Sequence, residues 1–177
     1  MDDLELYPQQ ELKEDKTTVT ETTVVDLLNE QINFEQHSHL VYMTIGAWCD
    51  NNKYKYIAQY FYKKALEELS HAQLIINYLA DLKNNIEISS VEGFNHECDS
   101  LHNCFVTARD HEIKVKDKLK IIYDKACDKN DSLTTVFIHD MLKEQIEEIS
   151  TLNDYIDELE LIGNNQPMLW HFNIEFK

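Results

Sequence analysis

Five polar residues interrupt the apolar stripes of helical period in this chain, and they constrain its fold more than any other feature. They are Glu35, Glu68, Glu112, Gln145 and Glu148. Each lies three or four residues from an apolar neighbour, in a stretch patterned as an amphipathic helix. A buried carboxylate without a partner costs several kcal/mol, and four of them at one level would also repel each other. We therefore predict four helices that pack around a bound cation.

The scarcity of turn-forming residues supports long helices. Among 177 residues there are three glycines and two prolines, which argues against a fold of many strands. This length suits one domain with a substantial core. No apolar run is long enough to cross a membrane, and the acidic segment 1–7 lacks the basic and apolar regions of a secretory signal. We expect a single helical domain that makes no membrane contact.

The apolar period and the turn residues between the periodic stretches locate the helices, which we expect at about 22–50, 53–83, 98–129 and 132–162. Residues 84–97 break the period and are long for a connection between packed helices, so we interpret them as a crossover. The predicted fold class is an all-α, antiparallel four-helix bundle with one long crossover.

The same pattern divides the chain into three parts. Residues 1–20 are polar and form an N-terminal extension, residues 21–163 form the bundle, and residues 164–177 form a tail. The tail is expected to be a short fifth helix or an extended segment. No period is present in the extension.

Charge and cysteine content exclude some classes of partner. The net charge of −17 opposes phosphate binding, so we expect no nucleic-acid partner, and it would attract cations. The cysteines lack CxxC spacing and are interpreted as buried free thiols of a protein in a reducing compartment: Cys49, Cys98, Cys104 and Cys127. These features predict a cytoplasmic protein.

The donor types at the buried stripe indicate which metal it would bind. Glu68 and His71 are three residues apart and reach one spot on their helix, and Gln145 and Glu148 repeat that spacing. A set dominated by carboxylate oxygen favours Fe or Mn over structural zinc. Helical bundles with two irons carry one Glu on each of two helices and Glu-x-x-His on the other two. Because the second Glu-x-x-His lacks its histidine here, a second metal would be held more weakly and could move on.

Three stretches carry a resemblance to a known family. Residues 28–42 with Ala47-Trp48-Cys49 resemble the first helix of bacterial-type, non-haem ferritins. Residues 65–72 (ALEELSHA) are similar to that family's second-helix motif, and residues 144–148 (EQIEE) to its fourth-helix motif. The resemblance covers roughly residues 24–163.

The resemblance implies a ferroxidase centre with two iron ions. Its first site would consist of Glu35, Glu68 and His71, with Glu68 bridging, and its second of Glu112, Gln145 and Glu148. A third iron site nearby would use Glu67, Glu144, Glu147 and Glu148. Tyr42 would lie beside the centre and hydrogen-bond a ligand or donate an electron.

The resemblance also implies a substrate and an assembly. The centre would oxidise Fe(II) to Fe(III) with dioxygen or peroxide, and a homo-oligomeric shell, a 24-mer in this family, would store the ferric mineral. Asp140 stands where the family often has a tryptophan, so electron transfer through that side chain is in doubt. No methionine can be singled out as an inter-subunit haem ligand, and we expect no haem.

Two other interpretations remain open from the residues alone. One is a soluble di-iron oxidase or peroxidase related to rubrerythrins, although the chain lacks a rubredoxin-like pair of CxxC motifs. The other is a non-enzymatic helical interaction module with a degenerate site. The first predicts turnover without mineral, and the second predicts no bound metal and no large oligomer.

Overall fold

The fold consists of five helices, as described by a computed structural model that covers residues 21–95 and 98–177. Within these ranges there is no strand, and the helices are α1 (Val24–Asn51), α2 (Lys55–Asp81), α3 (Leu101–Asp128), α4 (Ser132–Ile162) and α5 (Gln166–Glu175). The predicted all-α bundle is confirmed, and the tail forms a short fifth helix. The extension predicted at residues 1–20 lies outside the described residues.

The helices begin at residues whose side chains satisfy free backbone N–H groups. Thr23 caps α1: its hydroxyl accepts a hydrogen bond from the N–H of Asp26, whose carboxylate accepts from the N–H of Thr23 at 2.8 Å. The Asp131 carboxylate caps α4 by accepting from the N–H of Thr134 at 3.1 Å. These caps fix where both helices start.

The crossover between α2 and α3 runs along α1. The Asn29 side chain donates to the carbonyl of Asn85 and accepts from the N–H of Glu87. One turn further along α1, Asn33 donates to the carbonyl of Glu87 and accepts from the N–H of Ser89. Because side chains of α1 supply these partners, the crossover carries the chain to the far end of the bundle without a helix of its own, and α3 runs parallel to α2.

The core is divided along the bundle axis into two hydrophobic clusters. The first, which we call the α5-end cluster, includes Ile45, Phe61, Phe105 and Leu159. The second, the far-end cluster, includes Ile32, Ile75, Leu119 and Ile138. In all four long helices the predicted acidic positions lie between the two clusters, which therefore enclose a polar layer.

The fifth helix closes one end of the bundle. Leu169 and Phe172 of α5 belong to the α5-end cluster. The buried Asn173 side chain accepts hydrogen bonds from the backbone N–H groups of Tyr56 at 3.1 Å and Ile57 at 3.2 Å. The first residues of α2 have no capping side chain of their own, so Asn173 supplies the cap from another element.

Three of the four cysteines are buried free thiols, as predicted: Cys49, Cys98 and Cys104. The prediction was wrong for Cys127, which is exposed. Cys127 lies in the last turn of α3, where the thiol is 3.9 Å from the Thr135 hydroxyl.

In the described ranges, no helix combines the length and hydrophobicity that a membrane crossing requires.

Candidate metal centre

The polar layer is built from one or two side chains of each long helix. Glu35 on α1, Glu68 on α2, Glu112 on α3 and Gln145 on α4 are all buried. Helical period explains this arrangement: each residue continues the apolar stripe that packs its helix into the bundle. The structure thus brings the predicted positions to one level of the core.

The ligand atoms form two groups that share one residue. Glu35, Glu68 and His71 offer donor atoms within 4.8 Å of one another, and so do Glu68, Glu112 and Glu148. Glu68 therefore lies where its carboxylate can bridge two cations. The arrangement supports the two predicted sites and the bridging position, although the ligation itself stays a prediction.

Five buried oxygen atoms in this layer have no hydrogen-bond partner among the described residues. They are Glu35 Oε2, Glu68 Oε1, Glu68 Oε2, Glu112 Oε2 and Gln145 Oε1. Buried acceptors are almost always paired, so a group of orphaned oxygens indicates a missing cation or proton. Oxygen donors with one imidazole, from His71, suit iron. The residues present therefore fit iron ions.

Burial and mutual repulsion favour the protonated form of these carboxyls. Burial raises the pKa of Glu68 well above its usual range, and the neighbouring Glu112 raises it further. Burial and then Glu68 raise the pKa of Glu35 in the same way. The pKa of Glu112 rises to about 8 through burial and the charge of Glu148. Metal binding must therefore displace protons near neutral pH.

Two neighbours hold the carboxyls in place. The Tyr42 hydroxyl donates a hydrogen bond to Glu112 Oε1, which places this predicted residue beside the centre. Burial and then the charge of Glu112 raise the pKa of Tyr42, so its phenol keeps its proton. Gln31 donates to Glu35 Oε1 at 2.8 Å. The sequence interpretation did not single out Gln31, although its spacing of four residues from Glu35 is the signal of a contact along one helix face.

The four residues predicted for a third iron site are partly or fully exposed, and two of them pair with a lysine. Glu144 and Glu147 are exposed, and Glu144 lies 3.4 Å from His71 Nε2. Between Glu67 and Glu148 lies Lys64, whose Nζ is 2.8 Å from Glu67 Oε2 and 2.6 Å from Glu148 Oε1. These side chains surround a pocket of about 370 Å³ that opens to solvent. The third site stays a prediction.

Lys64 did not stand out in the sequence. Its side chain is 20% exposed, and burial alone would lower its pKa, but the charges of Glu148 and Glu67 outweigh burial and raise it. Its position four residues before Glu68 places it on the same face of α2, which was the available signal. Its partner on α4 could not be read from that spacing.

Three histidines outside the motif belong to neither group of ligands. His39 contacts the carbonyl of Ala65, and His37 contacts that of Glu92 in the crossover. His111 is buried, bonded to the Ser38 hydroxyl at 2.8 Å, and burial lowers its pKa to about 4. Asp140 is exposed on α4, so no aromatic ring occupies that helix position.

Comparisons with known proteins agree with this geometry. A family model described as "Ferritin-like domain" matches residues 25–162. The bacterial non-heme ferritin of Escherichia coli O6:H1 is 31% identical over 152 residues, which cover 86% of this chain and 92% of that protein. A probable bacterial non-heme ferritin-like protein of Haemophilus influenzae is 30% identical over 142 residues, covering 80% of this chain and 86% of that protein.

Solved structures show the same fold. An open pore ferritin from the archaeon Archaeoglobus fulgidus superposes with a TM-score of 0.84 at 26% identity. The match covers 86% of this chain and 93% of that one. The four-helix bundle and its long crossover are therefore shared across the aligned length.

Proposed function

The chain belongs to the ferritin family of iron-storage proteins, and on that premise we propose that it oxidises Fe(II) at a ferroxidase centre inside each subunit. The substrate is a pair of Fe(II) ions. Glu35, Glu68 and His71 bind one ion, Glu112, Gln145 and Glu148 bind the other, and Glu68 bridges the two.

The observation that carries this proposal is the pair of ligand groups that meet at Glu68, with orphaned oxygens facing each other. Two cations at these positions would pair all five oxygens and remove the repulsion among the carboxylates. A single structural cation would leave one group without a partner.

The residues also suit the change of charge during oxidation. Each Fe(II) loses one electron, and dioxygen takes up both electrons with two protons to give hydrogen peroxide. With peroxide as oxidant, two electrons and two protons give two water molecules. Carboxylate oxygens stabilise Fe(III) more than Fe(II) because they are hard anions and the ion's charge has risen.

The two sites are unequal, which suits a substrate that must leave. The first has a histidine and two buried carboxylates, whereas Glu148 of the second is shared with Lys64. Ferric product would leave through the second site and its open pocket, and collect as mineral inside a cytoplasmic, homo-oligomeric shell. By family membership we propose twenty-four subunits.

The variant Glu68→Ala tests the centre. Losing the shared ligand should lower the initial rate of Fe(II) oxidation by at least about tenfold, measured by the ultraviolet absorbance of Fe(III) after anaerobic loading and exposure to oxygen. The helical circular dichroism should be unchanged, because the removed group is an uncompensated buried acid.

The matched control is Glu158→Ala, which removes an exposed acid from α4. It should oxidise Fe(II) at the wild-type rate. Wild-type initial rates in folded Glu68→Ala would contradict the ferroxidase proposal.

A further inference from the structure

Lys64 lies between two of the acids that the family resemblance assigns to a third iron ion. Its ammonium is 2.8 Å from Glu67 on its own helix and 2.6 Å from Glu148 on α4. At both distances the positively charged ammonium can donate a hydrogen bond to a negatively charged carboxylate. The Lys64 nitrogen therefore links two of the acids predicted for that ion. The contact is shielded, since the Glu148 side chain is 10% exposed and that of Lys64 is 20% exposed.

The two oxygens of Glu148 face different partners. Oε1 accepts from Lys64, whereas Oε2 accepts from Gln145 Nε2 at 3.2 Å. Gln145 belongs to the second iron site proposed above. Lys64 therefore pairs with one oxygen of Glu148, while the other contacts a residue of the second iron site.

A metal ion and this ammonium cannot use the same oxygens at once. A divalent ion binds carboxylate oxygen at roughly 2.0–2.2 Å, and Lys64 Nζ already lies against Glu148 Oε1 and Glu67 Oε2. An ion placed between them would either overlap with the ammonium or be repelled by its charge. The lysine is also covalently attached to the chain, so its binding to the two carboxylates does not cost the translational entropy that a free ion would lose.

The neighbouring lysine provides a contrast. Lys63 also contacts Glu67, at 3.5 Å, but its side chain is 78% exposed. An exposed pair of this kind contributes little. Among the described residues, Lys63 forms no ion pair with Glu148, so it offers a matched control on the same helix.

We propose that the Lys64 ammonium is a built-in cation that takes the place of a third metal ion between Glu67 and Glu148, so that each subunit binds two ions in this region rather than three. Lys64 is thus a positioning residue for Glu148. The inference rests on the proposed function only in treating Glu148 as a ligand of the second ion.

The test counts bound Zn(II), which has no redox chemistry, in wild type and in Lys64→Gln, Lys64→Arg and Lys63→Gln. Each protein is dialysed against Zn(II) buffered by a chelator, and metal per subunit is measured by mass spectrometry. Lys64→Gln should bind one ion more than wild type, because two carboxylates lose their cation. Lys64→Arg and Lys63→Gln should match wild type.

Two further variants support this comparison. Adding Glu67→Gln to Lys64→Gln should remove the extra ion, because one of its ligands is lost. Lys64→Met serves as a second neutral variant if Lys64→Gln is unstable.

Equal counts in wild type and in both neutral Lys64 variants would overturn the inference, as would an equal gain in Lys63→Gln. Crystals of the wild type soaked in Zn(II) give an independent readout: an anomalous peak between Glu67 and Glu148 would also overturn it. The difference between variant and wild type decides the role of Lys64 whatever the wild-type count. A ferroxidase failure appears separately, as wild-type oxidation rates in Glu68→Ala.

Discussion

The buried carboxyls of Glu35, Glu68 and Glu112 retain protons that the same side chains would release in an unfolded chain. Their pKa values are raised first by burial, and then by a neighbouring acid. Above the ordinary glutamate pKa of 4.5, the folded protein therefore binds more protons than the unfolded one. The contribution of these three carboxyls to the free energy of unfolding therefore falls as the pH rises, and it outweighs the opposite contribution of the single His111, whose pKa is lowered.

This linkage predicts a pH dependence for the metal-free protein. Between pH 4.5 and the pKa of Glu112 at about 8, stability should decrease with a slope of up to about 1.4 kcal/mol per pH unit for each such carboxyl. The melting temperature of the metal-free protein, followed by circular dichroism, should therefore be lower at pH 8 than at pH 5. Divalent metal should reverse the decrease, because it binds the ionised form.

The variant Glu112→Gln tests the predicted dependence of stability on pH. It removes one carboxyl with a raised pKa but keeps an oxygen that can accept a hydrogen bond from the Tyr42 hydroxyl. Its metal-free melting temperature at pH 8 should exceed that of wild type, while Glu158→Gln on the exposed face should change nothing. A melting temperature that rises from pH 5 to pH 8 in the metal-free wild type would refute the assignment of protonated carboxyls.

Sequence periodicity located the residues of the polar layer but not all of their partners. Glu35, Glu68, Glu112 and Gln145 were predictable because a polar residue on an apolar stripe breaks a pattern within one helix. Lys64 breaks no such pattern, because a lysine on a helix flank is ordinary until the residue opposite is known. Its partner Glu148 comes from α4, and the approach of two helices is a property of packing.

At the scale of elements, the helices were predicted to within a few residues, because caps and turns are local. Thr23 and Asp131 cap α1 and α4 in the structure, and both are residue types that favour this position in any helix. The start of α2 was not predictable in this way. Its cap is Asn173, which follows it by more than a hundred residues.

Asn173 should therefore stabilise two elements at once. Asn173→Ala removes the acceptor for the N–H groups of Tyr56 and Ile57, and should lower the free energy of unfolding by about 1–3 kcal/mol. Chemical denaturation of the metal-free protein measures this. Asn173→Asp should lose much less, since a carboxylate still accepts both bonds and is favoured at a helix N-terminus. Equal losses in both variants would argue against a capping role.

At the scale of the whole molecule, the single subunit exposes apolar side chains that an assembly could cover. Leu66, Leu69 and Leu74 on α2 and Ile88 in the crossover are exposed in the described chain. Large exposed apolar areas are typical of contacts between proteins. The sequence resemblance named an assembly, but a single chain contains no information on its symmetry beyond such faces.

The proposed assembly predicts a particle close to half a megadalton, since one chain is 20.9 kDa and the proposed shell has twenty-four. Size-exclusion chromatography with light scattering of the protein as purified measures this mass. Iron content in the same fraction distinguishes a storage shell from a small oxidase. A monomer or dimer that turns over with a reductant and forms no mineral would favour the oxidase instead.

The polar layer lies between two separate hydrophobic clusters, and this affects how the subunit opens. Without metal, each end of the bundle has its own apolar core, so the α5 end and the far end can loosen separately. Backbone amides midway along the long helices should then exchange their hydrogens through local opening rather than global unfolding. Two ions bound in the layer would join the two ends into one cooperative unit. The iron that the subunit oxidises would then also determine how cooperatively the subunit unfolds.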